Sequence, residues 1–194
     1  YKHISGSQEY NSSYQNFILS SGLKFNKIEI DMNLKKENCN CFILSGLCLK
    51  NGEHQEIKTR INHLAKNCKS YQKIKNVLEE NSTGVYQGKI FVKEIAQKTD
   101  AYQLSKALIL DDNSEFNAKP ELEIYADDVK CSHGSTSGSI DEDAIHYLMT
   151  RGIKLSIAKK LLINGFLSEI LENIHESKLK NFLEIIIKEQ VDAI

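Results

Sequence analysis

Two copies of one short motif give the first indication of the fold. Phe17-Ile18-Leu19-Ser20 recurs 25 residues later as Phe42-Ile43-Leu44-Ser45, and each copy leads into a Gly-Leu pair. A repeat of about 20–50 residues is typical of a β-solenoid, in which each turn buries its apolar side chains against the next. Two copies fall short of the repeats that define such an array. The motif alone therefore leaves a β-sandwich and a β-barrel open.

The first 138 residues contain short segments that are typical of strands. They are rich in β-branched and aromatic residues, often alternate apolar with polar positions, and are separated by Asn, Gly, Ser and Asp. The predicted strands are Phe17–Phe25, Lys27–Met32, Phe42–Leu49, Glu56–Leu64, Val85–Val92, Leu108–Leu110 and Leu122–Tyr125. Because Pro120 is the single proline, the turns must rely on Asn, Gly and Asp. No long amphipathic segment interrupts the strands, which disfavours an alternating β/α fold.

After Gly138 the apolar residues take up helical spacing. Ser139-Ile140-Asp141-Glu142 has the form of a capping box, which predicts a helix that runs to about Thr150 and stops near Gly152. Two more helices are predicted over Ser156–Asn173 and Ser177–Ala193, both apolar around much of their circumference. Each must bury two faces, against its neighbours or another protein. We predict a β domain over residues 1–138 and a helical domain over residues 139–194.

Composition excludes several functions. The 194 residues carry a formal net charge of −1, whereas a nucleic-acid-binding domain is expected to be basic. Arg60 and Arg151 are the only arginines, so side chains that grip phosphate bidentately are scarce. Gly84–Ile90 resembles a phosphate-binding loop, but it is one residue short and lacks the Ser or Thr that binds Mg²⁺. No apolar run approaches the length of about 20 residues that crosses a bilayer. We expect no nucleotide, nucleic acid or membrane to bind this chain.

Charge is distributed unevenly along the sequence. Residues 50–75 have a net charge of +5, and residues 111–128 have a net charge of −6. We interpret the two stretches as opposite solvated faces of an elongated β body. The alternative is a basic patch that binds an anionic partner.

The five cysteines predict free thiols in a reducing compartment, the cytoplasm. Their number is odd, their spacing is irregular, and no C-x-x-C pair occurs. Cys39 and Cys41, two residues apart, would project from one face of a strand. We interpret them as buried small apolar side chains, and a metal site is the alternative, because four good ligands are not in evidence.

The segment Asp127–Gly134 is the richest in chemically reactive side chains. Cys131 and His133 are two residues apart, so on a strand they project from the same face. Thiolate and imidazole suit soft or borderline metals and iron–sulfur centres. A nucleophilic Cys/His pair is one alternative, and a buried cysteine beside a hydrogen-bonded histidine is another. Two ligands cannot close a four-ligand site, so a metal here would need donors from a second chain.

The run from Gly84 to Ile153 resembles the SufB/SufD family of iron–sulfur assembly scaffolds. The resemblance is carried by GVYQGKIFV, AQKTDAYQLSKALIL and KPELEIYADDVKCSHGSTSGSIDEDAIHYLMTRGI. Within the last of these, Cys131–Thr136 resembles the SufD form more than the SufB form, which carries Cys-Glu-His-Glu-Ala. Ala107, Asp111 and Ser135 depart mildly from the usual pattern.

The resemblance implies a right-handed parallel β-helix followed by a small helical domain, in the C-terminal portion of a longer protein. In the family, a SufD-like subunit pairs with a SufB-like subunit through their last strands, and each helical domain docks a SufC-like ATPase. His133 matches the histidine that faces a partner cysteine where transient iron–sulfur clusters form, and Cys131 matches the cysteine beside it. The segment with Arg151, Gly152 and Phe166 matches the region that meets the ATPase.

We therefore predict a non-enzymatic scaffold subunit for iron–sulfur cluster assembly, in the cytoplasm or, in a plastid-bearing organism, in the plastid stroma. The alternative is a β-helix hydrolase that uses Cys131 and His133. A third hypothesis is a structural homodimer of the isolated chain, in which exposed strand edges pair.

Overall fold

The chain folds as a parallel β-helix followed by a helical segment. The computed structural model describes residues 1–172, 174 and 176–193. The strands in this part of the chain are β1 (Lys2–Gln8), β2 (Ser13–Ser20), β3 (Phe25–Leu34), β4 (Asn40–Leu49), β5 (His54–His63), β6 (Lys69–Leu78), β7 (Thr83–Val92), β8 (Asp100–Ile109), β9 (Glu115–Ile124) and β10 (Lys130–Gly138). This confirms the predicted β-helix in place of a sandwich or barrel.

The strands alternate between two parallel sheets. Sheet A has the order β1-β3-β5-β7-β9, and sheet B has the order β10-β8-β6-β4-β2. Each strand pairs with the strand two places along the chain, and one turn takes 26 to 32 residues between paired positions. The repeated motif is out of register with these turns, because Phe17 pairs with Leu44 rather than with Phe42.

Apolar side chains that alternate along the strands fill the space between the sheets. Equivalent positions of successive turns lie one above another, so each inward side chain packs against the turns on both sides. This packing favours the β-branched and long aliphatic residues that predicted the strands. Fully buried members of the interior include Ile30, Ile43, Ile57, Ile61, Ile74 and Leu78.

Asparagine forms one corner of the β-helix in successive turns. Asn11, Asn38 and Asn67 have φ values of 56°, 62° and 58°, in the left-handed region that asparagine tolerates better than most residues. Asn38 Nδ2 also donates a hydrogen bond to Asn11 Oδ1 at 3.0 Å. The prediction that asparagine would supply turns in a proline-poor chain is confirmed at this corner.

The helical segment consists of α1 (Glu142–Thr150), α2 (Leu155–Ser168), a 3₁₀ turn (Glu169–Leu171) and α3 (Ser177–Asp192). The second predicted helix therefore changes to a 3₁₀ turn after Ser168, and its predicted end at Asn173 lies outside the described residues. The third agrees with α3 to within one residue. Within the described residues, no helix is both long and apolar enough to cross a membrane.

The capping residue of α1 differs from the prediction. Asp141, not Ser139, is the N-cap, and its Oδ1 accepts the backbone N–H groups of Asp143 at 2.9 Å and Ala144 at 3.1 Å. Aspartate caps as well as serine, and its charge interacts favourably with the helix dipole. The helix ends where predicted, two residues before Gly152, whose φ of 85° suits a helix terminus.

The helical segment covers the outer face of sheet B. All residues of β4 from Ile43 to Leu49 are buried, whereas a strand with one solvated face would alternate. Gly46 permits the close approach, because a Cβ there would lie 3.0 Å from Ile170 Cδ1. The other face of the helices exposes Tyr147, Met149, Leu155, Ile157, Leu161, Phe182 and Ile185.

Several strands are missing from the sequence prediction or longer than predicted. β1, β6 and β10 are missing from the predicted strands, and β8 and β9 extend well before Leu108 and Leu122. The strand predicted over Phe17–Phe25 ends at Ser20 instead, because a turn with Gly22 at a φ of 72° separates β2 from β3. In β6, Lys73 and Lys75 face the helical segment and are buried there. Buried lysines break the apolar pattern by which a strand is recognised.

The prediction that the two charged stretches form opposite faces of the β body is wrong. Arg60 on β5 and Glu121 and Glu123 on β9 lie in the same sheet, separated only by β7. Lys89 on β7 forms an ion pair with Glu123 at 2.5 Å. Sheet A therefore mixes both signs of charge on neighbouring strands.

Candidate functional site

The last turn of the β-helix leaves two strand edges unpaired within the described chain. β10 pairs only with β8, and β9 pairs only with β7. An unpaired strand edge exposes a row of backbone N–H and C=O groups that a strand of another chain can join.

Cys131 and His133 lie on the inward face of β10. Cys131 pairs in register with Ala101, and His133 pairs with Gln103, both of which are buried between the sheets. The two side chains therefore project from the same face, as their spacing predicts. Cys131 is half-buried, whereas His133 is exposed because no further turn covers it in the described chain.

The environment of Cys131 does not favour a nucleophile. Burial raises the pKa of the Cys131 thiol, and the nearby Asp100 carboxylate raises it further. A reactive cysteine needs the opposite shift, from a cation or a helix N-terminus. The geometry therefore lends no support to the hydrolase hypothesis.

Cys131 and His133 do not form a complete metal site by themselves. Within the part of the chain that the structure describes, no three His, Cys, Asp or Glu residues lie close enough to hold a metal ion. A tetrahedral site requires four donors, so these two would need further donors from outside the chain.

Cys39 and Cys41 do not share a strand face. β4 begins at Asn40, so Cys39 lies in the preceding corner, where its thiol donates to the carbonyl oxygens of Lys36 at 3.0 Å and Glu9 at 3.1 Å. Cys41 points into the core, where burial raises the pKa of its thiol to about 12. Both therefore behave as buried small side chains, which was the first of the two predicted readings.

The free edge of β10 offers a regular row of backbone groups. The Lys130 N–H donates to the Thr99 C=O, so the backbone N–H and C=O groups of the even-numbered residues of β10 point towards β8. In a parallel strand, alternate residues direct both backbone groups to opposite sides. The N–H and C=O groups of Cys131, His133, Ser135 and Ser137 therefore face the open edge.

The free edge of β9 is interrupted at its centre. The Glu115 N–H donates to the Ser82 C=O, and the Tyr125 N–H donates to the Val92 C=O. The backbone N–H and C=O groups of the odd-numbered residues of β9 therefore point towards β7. Pro120 consequently occupies an edge-facing position and has no N–H to offer an incoming strand. The sequence showed a single proline, but only the register shows which side it faces.

A row of buried polar side chains, which we call the polar chain, lies beneath the last turn of the β-helix, which we call the open end. The polar chain was not predicted from the sequence. Tyr86 Oη lies 3.2 Å from Gln72 Oε1, 3.3 Å from Gln103 Oε1 and 3.4 Å from Thr59 Oγ1. Burial raises the pKa of the Tyr86 hydroxyl, which therefore stays protonated and able to donate. Gly88 leaves room for the polar chain, because a Cβ there would overlap Tyr86 Oη and Gln103 Oε1.

The predicted docking residues lie at opposite ends of α2. Arg151 and Gly152 precede the helix, and the Arg151 guanidinium lies 5.3 Å from the ring centroid of Tyr147. Phe166 is near the C-terminal end, roughly 17 Å away at about 1.5 Å per residue. A partner that contacts all three residues must therefore span most of α2.

Two lysines on β6 bind the C-terminal end of α2 to sheet B through hydrogen bonds and ion pairs. Lys75 Nζ donates to the Phe166 carbonyl at 2.5 Å, lies 4.2 Å from the Phe166 ring centroid and pairs with Glu169 at 2.5 Å. Lys73 Nζ donates to the Glu169 carbonyl and to Glu172 Oε2, both at 2.9 Å. The lysines thus satisfy helix C-terminal carbonyls that lack partners inside the helix.

Comparison with known proteins identifies the family. The family described as "SUF system FeS cluster assembly, SufBD core domain" matches residues 1–166. The chain belongs to the SufBD family. This confirms the resemblance that Gly84–Ile153 indicated and extends it over the whole β-helix.

Relatives with known names agree with a SufD-like member of the SufBD family. "Iron-sulfur cluster assembly protein SufD" of Escherichia coli is 38% identical over 125 residues, which cover 64% of this chain and 30% of that protein. A SufBD family protein of Synechocystis is 34% identical over 176 residues, covering 89% of this chain and 38% of the relative. "Protein ABCI7, chloroplastic" of Arabidopsis thaliana is 38% identical over 105 residues, covering 54% and 22%. The chain therefore spans less than two fifths of the length of these relatives.

Proposed function

We propose that this chain is a scaffold subunit of an iron–sulfur cluster assembly complex. Family membership and the similarity to SufD proteins support this role. The observation that carries it is the placement of Cys131 and His133 on β10, a strand with one unpaired edge. There they are two donors for soft or borderline metals that need others to complete a site. The nascent cluster would be transient cargo, held between this chain and a partner.

The partner in this proposal is a SufB-like subunit that pairs with β10. The row of edge-facing backbone groups from Cys131 to Ser137 offers main-chain hydrogen bonds, and Pro120 makes the β9 edge the poorer of the two. A strand added along β10 would place its own side chains beside Cys131 and His133. Pairing of two copies of this chain would use the same edge, so a homodimer competes with the complex.

The helical segment would dock a SufC-like ATPase. Its outer face exposes a set of large apolar side chains, among them Tyr147, Ile157 and Leu161, which is the kind of surface that marks protein contacts. Arg151, Gly152 and Phe166 would contribute from the two ends of α2. In this proposal the ATPase supplies the nucleotide site.

The proposal is tested by reconstituting the complex with His133→Ala. Because His133 is exposed and contributes little to the core, the variant should keep its unfolding temperature. The iron and acid-labile sulfide bound per complex should fall at least tenfold, in line with the loss of a metal ligand. His3→Ala, an exposed histidine of β1 at the other end of the β-helix, is the matched control. Normal cluster loading by His133→Ala would refute the proposed site.

A further inference from the structure

The interior near the open end is more polar than packing requires. Gln72 and Gln103 stand in one column of paired residues between Ile43 on β4 and His133 on β10. Both glutamines are buried, with 0% and 1% of their surface exposed. Burial of an amide destabilises the folded state unless its hydrogen bonds are satisfied. Ile43 shows that an apolar side chain fits the same column. The two glutamines are therefore not needed for packing, and their position next to His133 indicates a role that involves this histidine.

Contacts at both ends hold the Gln103 amide in place. Tyr86 Oη lies 3.3 Å from Gln103 Oε1, in space that Gly88 leaves free. On the other side, Gln103 Nε2 lies 3.4 Å from the Glu121 carbonyl oxygen of β9. The amide is therefore fixed, whereas the exposed ring of His133 is free to turn about its side-chain bonds.

The oxygen of this amide has spare acceptor capacity, and Gln103 is the register partner of His133 on the neighbouring strand. A carbonyl oxygen has two lone pairs, and Tyr86, whose single hydroxyl proton also lies within reach of Gln72 Oε1, occupies at most one of them. The paired residue on the neighbouring strand is roughly 4.8 Å away, within reach of a hydrogen bond between long side chains.

We propose that Gln103 is a positioning residue for His133, with its amide oxygen accepting one ring N–H of the imidazole. This contact fixes one tautomer and leaves the lone pair of the other ring nitrogen facing the open end. Histidines that bind metals commonly donate their second N–H to a carbonyl or carboxylate, which orients the ring. The inference rests on the proposed function, in which the free nitrogen meets the cargo.

The test reads the tautomer of His133 by long-range ¹H–¹⁵N NMR of the imidazole in the full chain. Wild type should show one tautomer. Gln103→Met, which keeps the length but removes the oxygen, should show a mixture, and Tyr86→Phe should shift in the same direction. Tyr102→Phe on the outer face of β8, where the ring stacks on Tyr71, is the control and should match wild type. In the reconstituted complex, Gln103→Met should lower the assembly rate about 10- to 100-fold.

The outcomes separate this inference from the proposed function. A tautomer ratio that is the same in wild type and in folded Gln103→Met overturns the positioning role, whatever cluster assembly shows. If Gln103→Met does not fold, Tyr86→Phe carries the test, and an unchanged ratio in that variant overturns the inference. Normal loading by His133→Ala would instead overturn the proposed function and leave the tautomer result intact.

Discussion

At the residue scale, a missing side chain determines the chemistry beneath the open end. Gly88 has no side chain, and the space is occupied by the Tyr86 hydroxyl and the Gln103 amide. Any Cβ at this position would displace two buried polar groups that are held by hydrogen bonds. A packed interior offers little room for such a shift.

Gly88→Ala should therefore destabilise the protein by about 1–3 kcal/mol, the usual range for an overpacked core. Gly138→Ala is the matched control, because no atom lies within 4 Å of the Cβ that it would add. Urea unfolding of the two variants and wild type measures the difference. Equal stability of Gly88→Ala and wild type would contradict this account, because it would show that the Tyr86 and Gln103 side chains move aside easily.

His63 is a second residue whose burial has a measurable consequence. The side chain is fully buried, and its Nε2 lies 2.9 Å from Ser70 Oγ. Burial lowers the pKa of the His63 imidazole from 6.5 to about 4, because the charged form is poorly solvated there. The folded state therefore holds this ring neutral down to about pH 4.

This pKa predicts a loss of stability in mild acid. Above about pH 6.5 the ring is neutral in both states, so it contributes no pH dependence. As the pH falls from 6.5 towards 4, only the unfolded chain takes up the proton, which favours unfolding by up to about 3 kcal/mol. Unfolding free energies at several pH values, for wild type and His63→Leu, measure the effect. Parallel curves for the two proteins would contradict it.

At the element scale, two buried lysines hold the helical segment on sheet B. Lys75 has no exposed surface, and its charge is met by Glu169, the Phe166 carbonyl and the Phe166 ring. Burial lowers the pKa of the Lys75 ammonium, and pairing with Glu169 opposes that shift. The helix end thus depends on a charge pair in which one partner is fully desolvated.

Glu169→Gln should lower the free energy of unfolding by up to about 3 kcal/mol, because it leaves the Lys75 charge buried without its counter-ion. The value lies at the low end of the usual range, since Glu169 is partly exposed. The double variant Lys75→Met with Glu169→Leu should recover most of the loss, because apolar pairs replace buried ion pairs well. Hydrogen exchange of α2 and β6 reports the docking, and Glu184→Gln on the exposed face of α3 is the control. Faster exchange in the double variant than in Glu169→Gln would contradict the account.

Predictability from sequence differs between elements for physical reasons. Strands with one solvated face, such as β5 and β7, alternate polar and apolar residues and were located to within two residues. β6 was missed because lysines occupy positions that only the packed helices bury. The same-face placement of Cys131 and His133 follows from strand geometry alone. The link between Gln103 and His133 depends on strand register, which sequence spacing did not reveal.

At the scale of the whole molecule, the residues of the candidate site gather at one end of the β-helix, in its last turn. The interior changes from mainly aliphatic side chains near β3 and β4 to the polar chain of Gln72, Tyr86 and Gln103 near the last turn. The unpaired edges of β9 and β10 and the two metal donors, Cys131 and His133, lie at this same end. This arrangement suits a subunit whose site is completed by a second chain.

The most direct test of this account is the size of the complex that the chain forms with a SufB-like subunit and a SufC-like ATPase. Ser137→Pro removes one edge-facing N–H of β10 and leaves the pairing with β8 intact, and Ser137→Ala is its control. Wild type and Ser137→Ala should form the complex, and Ser137→Pro should bind the SufB-like subunit at least about tenfold more weakly, the loss expected for about 1.4 kcal/mol. A wild-type chain that remains separate from its partners, or a Ser137→Pro chain that binds as tightly as Ser137→Ala, would contradict the assignment of β10 as the assembly edge.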